Sequence, residues 1–332
     1  MLEIAPGTEI ALGTVASSVS FAAPLARVRR QVATGPHCAW VLADAGGTPL
    51  LLSILDPRWV ATPGVFTDIE AAVARARTVT HKNLLVCHGV VPWERTHAVV
   101  WDDPGGKPLR DHLARMLGAG RAMDAARVQT IAAHASRAIG ALHRVMPHGF
   151  VSLDTIHVGK GGRIFVGEAG VGAVVPRAPD YGRFHLAGLV PVPPECREGR
   201  RWDVRSDVYA LAACCFELLT GQAPPSDGRP PFATVDVPIP DHLIAALSRA
   251  LSPDPNARFE SMRAFRAAVR GAPAPEQPRG SDPASAGGRP AADASRPIAA
   301  VAGGTAAHPR TPTLQPFGEG APSGMGATSA DA

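Results

Sequence analysis

Thiols, imidazoles and carboxylates are the groups in this sequence that could bind metal, form disulfides or move protons. The five cysteines, Cys38, Cys87, Cys196, Cys214 and Cys215, are odd in number and contain no C-x-x-C pair. This spacing predicts neither a disulfide framework nor a four-ligand zinc site. We therefore expect a chain that folds in a reducing compartment and has no thiolate metal centre.

Polar and turn-forming residues cluster in seven short segments between residues 81 and 259. In chain order they are His81-Lys82-Asn83 with Leu84-Leu85, His148 with Leu153, Ile156 and Val158, Glu168-Ala169-Gly170, Pro193-Pro194-Glu195, Ser206-Asp207-Val208-Tyr209-Ala210-Leu211, Gly221-Gln222-Ala223-Pro224-Pro225, and Asp254-Pro255-Asn256-Ala257-Arg258-Phe259. In order and spacing these segments resemble the motifs of the eukaryotic-type protein kinase family, as found in bacterial Ser/Thr kinases. Seven matches in order are hard to obtain by chance.

The resemblance implies structural roles for five residues. In the family, the counterparts of Glu195 and Arg258 form an ion pair, and a bidentate carboxylate–guanidinium pair suits such a semi-buried contact. The counterpart of Asp207 accepts hydrogen bonds from the backbone of the catalytic loop. His148 and Gly170 fall within the catalytic-loop and metal-binding motifs, and we assign them structural roles as well.

The positions that would carry out phosphoryl transfer differ from the family pattern. That reaction needs a base, magnesium ligands and a lysine on the nucleotide phosphates. When the family motif is aligned from His148, Phe150 replaces the catalytic aspartate. Ser152 replaces the neighbouring lysine, and Thr155 replaces the metal-binding asparagine. A phenyl ring cannot accept a proton, and Asp154, the nearest acid, falls where the family has a solvent-facing one.

The nucleotide-binding positions are similarly altered. Glu168 replaces the metal-binding aspartate with a carboxylate one methylene longer, and it is the one weak metal candidate because magnesium demands near-ideal geometry. Of the three glycines in the family's phosphate-binding loop, Gly35 alone is retained. Ser53 replaces the phosphate-binding lysine. With Trp101 and Glu168 these two residues form the candidate nucleotide pocket. We expect no cofactor, although the family uses ATP and magnesium.

Two further features of the family are also missing: a lysine with its glutamate partner to hold the phosphates, and a serine or threonine whose phosphorylation would regulate the domain. The three lysines, Lys82, Lys107 and Lys160, all align elsewhere, and Glu70 lies half a helical turn from the expected glutamate position near Ala72. Residues 171–194 contain no serine or threonine, and Tyr181 is the one phosphorylatable side chain there.

The periodicity of apolar residues predicts the elements that position these motifs. Short apolar runs before residue 102 indicate strands, with one helix between Phe66 and Val79. After residue 102 we predict an amphipathic helix at 122–145 and two strands at 156–158 and 164–166. A buried helix follows at 207–219, with Ser206 as its N-cap and Gly221 at its end, and two further helices at 241–251 and 260–270. This pattern agrees with the α+β two-lobe fold that the resemblance implies.

The chain divides into four predicted segments. Residues 1–27 form an N-terminal extension, 28–102 a β-rich small lobe and 103–271 a helical large lobe. Residues 272–332 are rich in proline, alanine and glycine and poor in large apolar groups, so we expect a disordered tail.

Charge and hydropathy exclude two classes of partner. With 33 Lys and Arg against 29 Asp and Glu, the net charge of +4 is too balanced for an electrostatic nucleic-acid binder. The uncharged run 10–26 contains three serines and a proline and falls short of a membrane span. Glu3 and Glu9 stand where a signal peptide carries positive charge. We therefore expect a cytoplasmic protein.

These observations favour a pseudokinase, a catalytically degenerate kinase-like domain that acts as a binding or regulatory scaffold in signalling. Its expected partners are proteins, either signalling kinases or their substrates. Two alternatives stay open: a nucleotide-binding sensor in which Glu168 still holds a cation, and an active ATP-dependent Ser/Thr kinase with displaced catalytic residues.

Overall fold

The N-terminal third of the chain folds into one antiparallel sheet because its apolar runs alternate at the period of a strand. In the computed structural model the strands are β1 (Glu9–Ala11), β2 (Leu25–Thr34), β3 (Cys38–Ala45), β4 (Thr48–Leu55), β5 (Cys87–Trp93) and β6 (Thr96–Asp102), in the order β1-β2-β3-β4-β6-β5. Two helices, α1 (Pro57–Val60) and α2 (Val65–Ala76), connect β4 to β5.

Both faces of this sheet are buried at β3, β4 and β6, which explains why these three strands are apolar almost throughout. Alternate residues point to opposite faces. Trp40, Leu51 and Trp101 belong to the core shared with the helices, whereas Val41, Leu52 and Val100, their immediate neighbours in sequence, belong to a second core on the other face. The sheet therefore presents two tryptophans to the rest of the domain.

The sheet begins earlier in the chain than the predicted start at residue 28. Strand β1 pairs with β2 in the register Glu9↔Arg27 and Ile10↔Ala26, and Ile10 is fully buried in the second core. A strand of three residues has too short an alternation to be recognised from sequence.

The remaining elements are helical apart from a small sheet. They are β7 (Lys107–Pro108), α3 (Leu109–Gly118), α4 (Ala125–Leu142), β8 (Ile156–Val158), β9 (Ile164–Val166), α5 (Pro194–Arg197), α6 (Val204–Thr220), α7 (Asp241–Ala250) and α8 (Met262–Val269). The predicted helices and the strands β8 and β9 are present. The sequence prediction missed helix α3, although Leu109, Leu113, Met116 and Leu117 recur at the spacing of one helix face.

The N-terminus of α6 differs from the sequence prediction. Asp203, not Ser206, is the N-cap, and its carboxylate accepts hydrogen bonds from the backbone N–H groups of Arg205 and Ser206. The Ser206 hydroxyl accepts from the Asp203 N–H in return, which completes a capping box. The helix thus begins three residues earlier than predicted, and it ends as expected at Gly221, whose φ is 74°.

The structure describes residues 3–13, 23–34, 38–171, 191–225, 232 and 238–272. These residues belong to a compact unit that spans Met1–Pro278. The candidate pocket residue Gly35, the Tyr181 region and the predicted tail beyond Ala272 lie outside them. Within the described ranges, every helix is too short or too polar to traverse a bilayer.

Glu195 and Arg258 form a buried bidentate ion pair between α5 and the segment before α8. The distances are 2.8 Å from Nη1 to Oε1 and 2.7 Å from Nη2 to Oε2, and the Arg258 side chain is inaccessible to solvent. Burial opposes ionisation of Glu195, but hydrogen bonds and charge from Arg258 lower its pKa overall. The Ser206 hydroxyl donates to the same carboxylate, so the pair joins three segments of the large lobe.

Replacing one partner of this pair should destabilise the domain strongly. Arg258→Ala leaves a buried carboxylate without its counter-ion, and we expect the free energy of unfolding in urea to fall by about 3–5 kcal/mol. Arg200→Ala is the matched control, because Arg200 pairs with Glu198 on the surface, where both side chains are about two-thirds exposed. That variant should change stability by less than about 1 kcal/mol. Equal effects of the two substitutions would contradict a buried pair.

The stability of the domain should also depend on the protonation of His157 in β8. Burial lowers the pKa of this imidazole from 6.5 to about 4. Because the folded-state pKa is the lower one, this contribution is fully present above about pH 6.5 and is lost as the pH falls toward 4, by about 3 kcal/mol in total. His157→Gln should therefore flatten the fall in unfolding free energy between pH 6.5 and 4. An unchanged slope would show that His157 does not contribute.

Candidate functional site

Asp207, in the first turn of α6, organises the loop that follows α4. Its carboxylate is fully buried and accepts hydrogen bonds from the backbone N–H groups of His148 and Gly149, at 2.7 and 2.9 Å. The indole N–H of Trp202 donates to it at 2.8 Å, and the Nε2 atom of His143 lies 2.8 Å away. Four groups from three segments thus converge on one charge.

His148 links this loop to the strand end that carries Glu168. Its Nε2 lies 2.8 Å from the carbonyl oxygen of Gly167, and its Nδ1 accepts from the N–H of Phe150 at 3.2 Å. Burial lowers the pKa of His148, against the opposing charge of Asp207. A neutral imidazole that donates from Nε2 satisfies both contacts. His148 is therefore a structural link and not a free acid or base.

The loop positions aligned with the catalytic residues are buried and internally bonded. Phe150 packs in the main core with 1% of its surface exposed. The Thr155 hydroxyl lies 3.1 Å from the Phe150 carbonyl oxygen and accepts from the Ser152 N–H at 3.0 Å. The Ser152 hydroxyl accepts from the Asp154 N–H at 3.3 Å. These side chains stabilise the loop conformation and present no ligand atoms to a cleft.

Asp154 is bound by an arginine that sequence analysis did not single out. Arg110, at the start of α3, donates from Nε to Asp154 at 2.8 Å and from Nη1 to Glu217 at 3.1 Å. Burial raises the pKa of Glu217, although Arg110 opposes this shift. The carboxylate of Asp154 is therefore held by a guanidinium that bridges the loop to α6.

Glu168 lies at the centre of a buried network between the sheet and the large lobe, which we call the indole network: Trp40, Ser53, Trp101 and Glu168. The Trp40 indole donates to Glu168 Oε1 at 2.7 Å, and the Ser53 hydroxyl donates to the same oxygen. The Trp101 indole donates to Ser53 Oγ at 3.1 Å. All four residues are buried, and Glu168 has a positive φ of 60°, an unusual conformation for a residue with a side chain.

The register of the sheet brings the indole network together. Trp40 and Ser53 are direct partners on β3 and β4, and Ser53 pairs with Val99 on β6. Trp101 lies two residues beyond Val99, on the same face. Sequence analysis identified Ser53, Trp101 and Glu168 but missed Trp40. One signal could have identified Trp40: it lies two residues after Cys38 in a predicted strand, and residues two apart in a strand point to the same face.

Helix α2 packs directly on the segment that carries Glu168. Gly170 has a φ of 94°, and a Cβ atom built on it would lie 2.8 Å from the carbonyl oxygen of Ala72. Only glycine permits this contact. Ala72, near which the resemblance expects the family's glutamate, is fully buried, and Glu70 is exposed. Helix α2 is thus held by backbone packing.

Trp40 should contribute to stability through its hydrogen bond to Glu168. Trp40→Phe keeps an aromatic ring but removes a donor to a buried carboxylate, and we expect a loss of about 1–3 kcal/mol in unfolding free energy. Trp93→Phe on β5 is the control, because Trp93 is half-buried at the second core, away from the indole network. A loss no larger than that of the control would contradict the role of the indole N–H.

Comparison with known proteins agrees with this architecture. The family model described as protein tyrosine and serine/threonine kinase matches residues 65–237. Serine/threonine-protein kinase Pkn1 of Myxococcus xanthus is 24% identical over 241 residues, which are 68% of this chain and 34% of Pkn1. The chain thus spans about a third of the length of this relative.

Solved structures share the fold at low identity. The kinase domain of Mycobacterium tuberculosis PknI matches with a TM-score of 0.61 and 23% identity, over 77% of this chain and 98% of that one. A variant of the same domain matches with a TM-score of 0.62, over 81% of this chain and 99% of that one. The predicted α+β fold, a β-rich small lobe followed by a larger helical lobe, is confirmed.

Proposed function

The chain belongs to the protein tyrosine and serine/threonine kinase family, and we propose that it is a pseudokinase, which acts by binding protein partners and not by transferring phosphate. The observation that carries this proposal is the indole network. Two of its members, Ser53 and Glu168, stand where the resemblance expects the phosphate-binding lysine and the metal-binding aspartate.

The charge of the indole network does not suit a nucleotide triphosphate. Glu168 contributes a negative group, and Trp40 and Ser53, two side chains that donate to it, are neutral. None of the three lysines lies in the network: Lys82 and Lys160 are exposed, and Lys107 is in β7. A polyphosphate bound here would therefore lack the lysine that the family places on its phosphates. ATP does not fit this set of residues.

A magnesium ion does not fit the described residues either. Magnesium is held by carboxylate or amide oxygens in near-octahedral geometry. Thr155, at the asparagine position, has its hydroxyl bonded within the loop, and Oε1 of Glu168 accepts hydrogen bonds from two side chains. The described part of the chain contains no group of three or more His, Cys, Asp or Glu side chains that could hold a metal.

The catalytic base is the remaining requirement, and Asp154 is the one acid near its position. A general base must reach the hydroxyl proton that it removes. Asp154 is instead hydrogen-bonded to Arg110, which also donates to Glu217 on α6. The arrangement supports a structural role for Asp154 and argues against an active kinase with a displaced base.

Two measurements on the purified protein test this proposal. We expect the melting temperature to be unchanged by millimolar Mg-ATP, whereas a ligand at a hundred times its dissociation constant would add about 2.7 kcal/mol of stability. We also expect no transfer of labelled γ-phosphate to the protein itself or to generic substrates, because loss of base, clamp and metal ligand raises the barrier well beyond the roughly 1.36 kcal/mol of one tenfold step.

The controls separate the alternatives. Phosphate transfer that disappears in both Asp154→Asn and Glu168→Gln would identify an active kinase and overturn the proposal. A thermal shift with Mg-ATP that disappears in Glu168→Gln, without phosphate transfer, would identify a nucleotide sensor. Protein partners, which we expect to be signalling kinases or their substrates, would then be regulated by nucleotide.

A further inference from the structure

Helices α4 and α8 pack together and form a face of one charge. Helix α4 carries Arg127 and Arg137, helix α8 carries Arg263 and Arg266, and Arg270 follows α8 directly. Neither helix contains an aspartate or a glutamate, although acidic residues nearly equal basic ones over the whole chain. We call this surface the arginine face.

The arginine face contains a pocket of about 360 Å³. Gln129, Thr130, His134 and Arg137 of α4 line one side, and Arg270 lines the other. Gln129 donates its amide to the carbonyl oxygen of Val269 at 2.8 Å, which ties the end of α8 to α4. The two arginines are therefore presented from separate elements that are held together by a defined contact.

The positive charges of this face are not neutralised within the described residues. None of Arg137, Arg263, Arg266 and Arg270 has a carboxylate within ion-pair distance there. Partial burial, together with the charges of Arg137, Arg270 and Arg263, lowers the pKa of Arg266. Like charges held together destabilise a fold. An anion bound at the face would relieve this repulsion.

We propose that the arginine face binds a phosphorylated segment of a partner protein, with the phosphate oxygens accepting hydrogen bonds from Arg137 and Arg270. Guanidinium groups bind phosphate through paired N–H donors, and a small concave pocket suits one phosphorylated side chain. This surface lies outside the indole network, so the inference goes beyond the proposed function. It stands whether or not the cleft binds nucleotide.

Two other anionic partners fit the face less well. Single-stranded nucleic acid is bound by stacking on aromatic side chains, and none lines the pocket apart from the imidazole of His134. An anionic membrane surface is bound by exposed apolar groups beside the basic ones. The exposed large apolar residues of the described chain are Leu25, Val86, Leu117 and Val145, none of which lines the pocket.

Fluorescence anisotropy with the full chain tests the proposal. The probe is a labelled degenerate peptide pool with a fixed central phosphothreonine, compared with the same pool carrying threonine or glutamate. We expect binding to the phosphorylated pool alone. Arg137→Ala and Arg270→Ala should each weaken it about tenfold, since each removes a charge-assisted contact. Arg200→Ala, a surface arginine elsewhere, should leave binding unchanged, and circular dichroism of each variant shows whether it is folded.

Binding of a nucleic acid and of a membrane surface is measured in the same way as binding of the peptides. Tighter binding to a labelled oligothymidine or to vesicles that contain phosphatidylserine would overturn the proposal in favour of nucleic acid or membrane. Equal binding of the glutamate pool would overturn the requirement for phosphate. Phosphopeptide binding that both pocket variants retain while folded would place the site elsewhere.

Discussion

The buried carboxylate of Asp207 is the constraint on which the arrangement of the large lobe depends. A charge without solvent must be matched by donors, and here two backbone N–H groups, an indole and an imidazole converge on it. Because two of the donors are backbone atoms, the contact fixes the course of the loop after α4. His148, which lies in this loop, is hydrogen-bonded to the carbonyl oxygen of Gly167, the residue before Glu168. Asp207 on α6 thus helps to position Glu168, the one residue of the indole network that lies outside the sheet.

The residues that stabilise this fold and the residues at the positions aligned with catalytic groups meet different requirements. A fold needs each buried polar group to be satisfied, and Asp207, Glu195 and Arg258 meet that condition with several partners each. Catalysis needs polar groups that are held in place but left available to a substrate. At the aligned positions Phe150 has no such group, and the Thr155 hydroxyl is used within the loop. The architecture of the family is thus retained, and the state of these two positions supports the pseudokinase that we propose.

The indole network and the arginine face differ in what they could recognise. In the indole network, the hydrogen bond from Trp40 to Glu168 joins the sheet to the segment that follows β9. On α4 and α8, the arginines are partly exposed and without carboxylate partners in the described chain. The pseudokinase that we propose would bind its partners through a surface of the second kind.

Much of this protein is determined by local sequence, and the rest by contacts between distant residues. The period of the apolar residues was enough to predict α4, and the motif order was enough to expect the contact between Glu195 and Arg258, because both signals lie in short segments. The hydrogen bond from Trp40 to Glu168 joins residues 128 positions apart. Neither side chain has a local pattern that indicates the other, and the same holds for Arg110 with Glu217, or for Asp207 with His143. Only the register of the sheet and the packing of α6 bring such groups within reach, because hydrogen bonds act over about 3 Å while sequence patterns report spacing along one element.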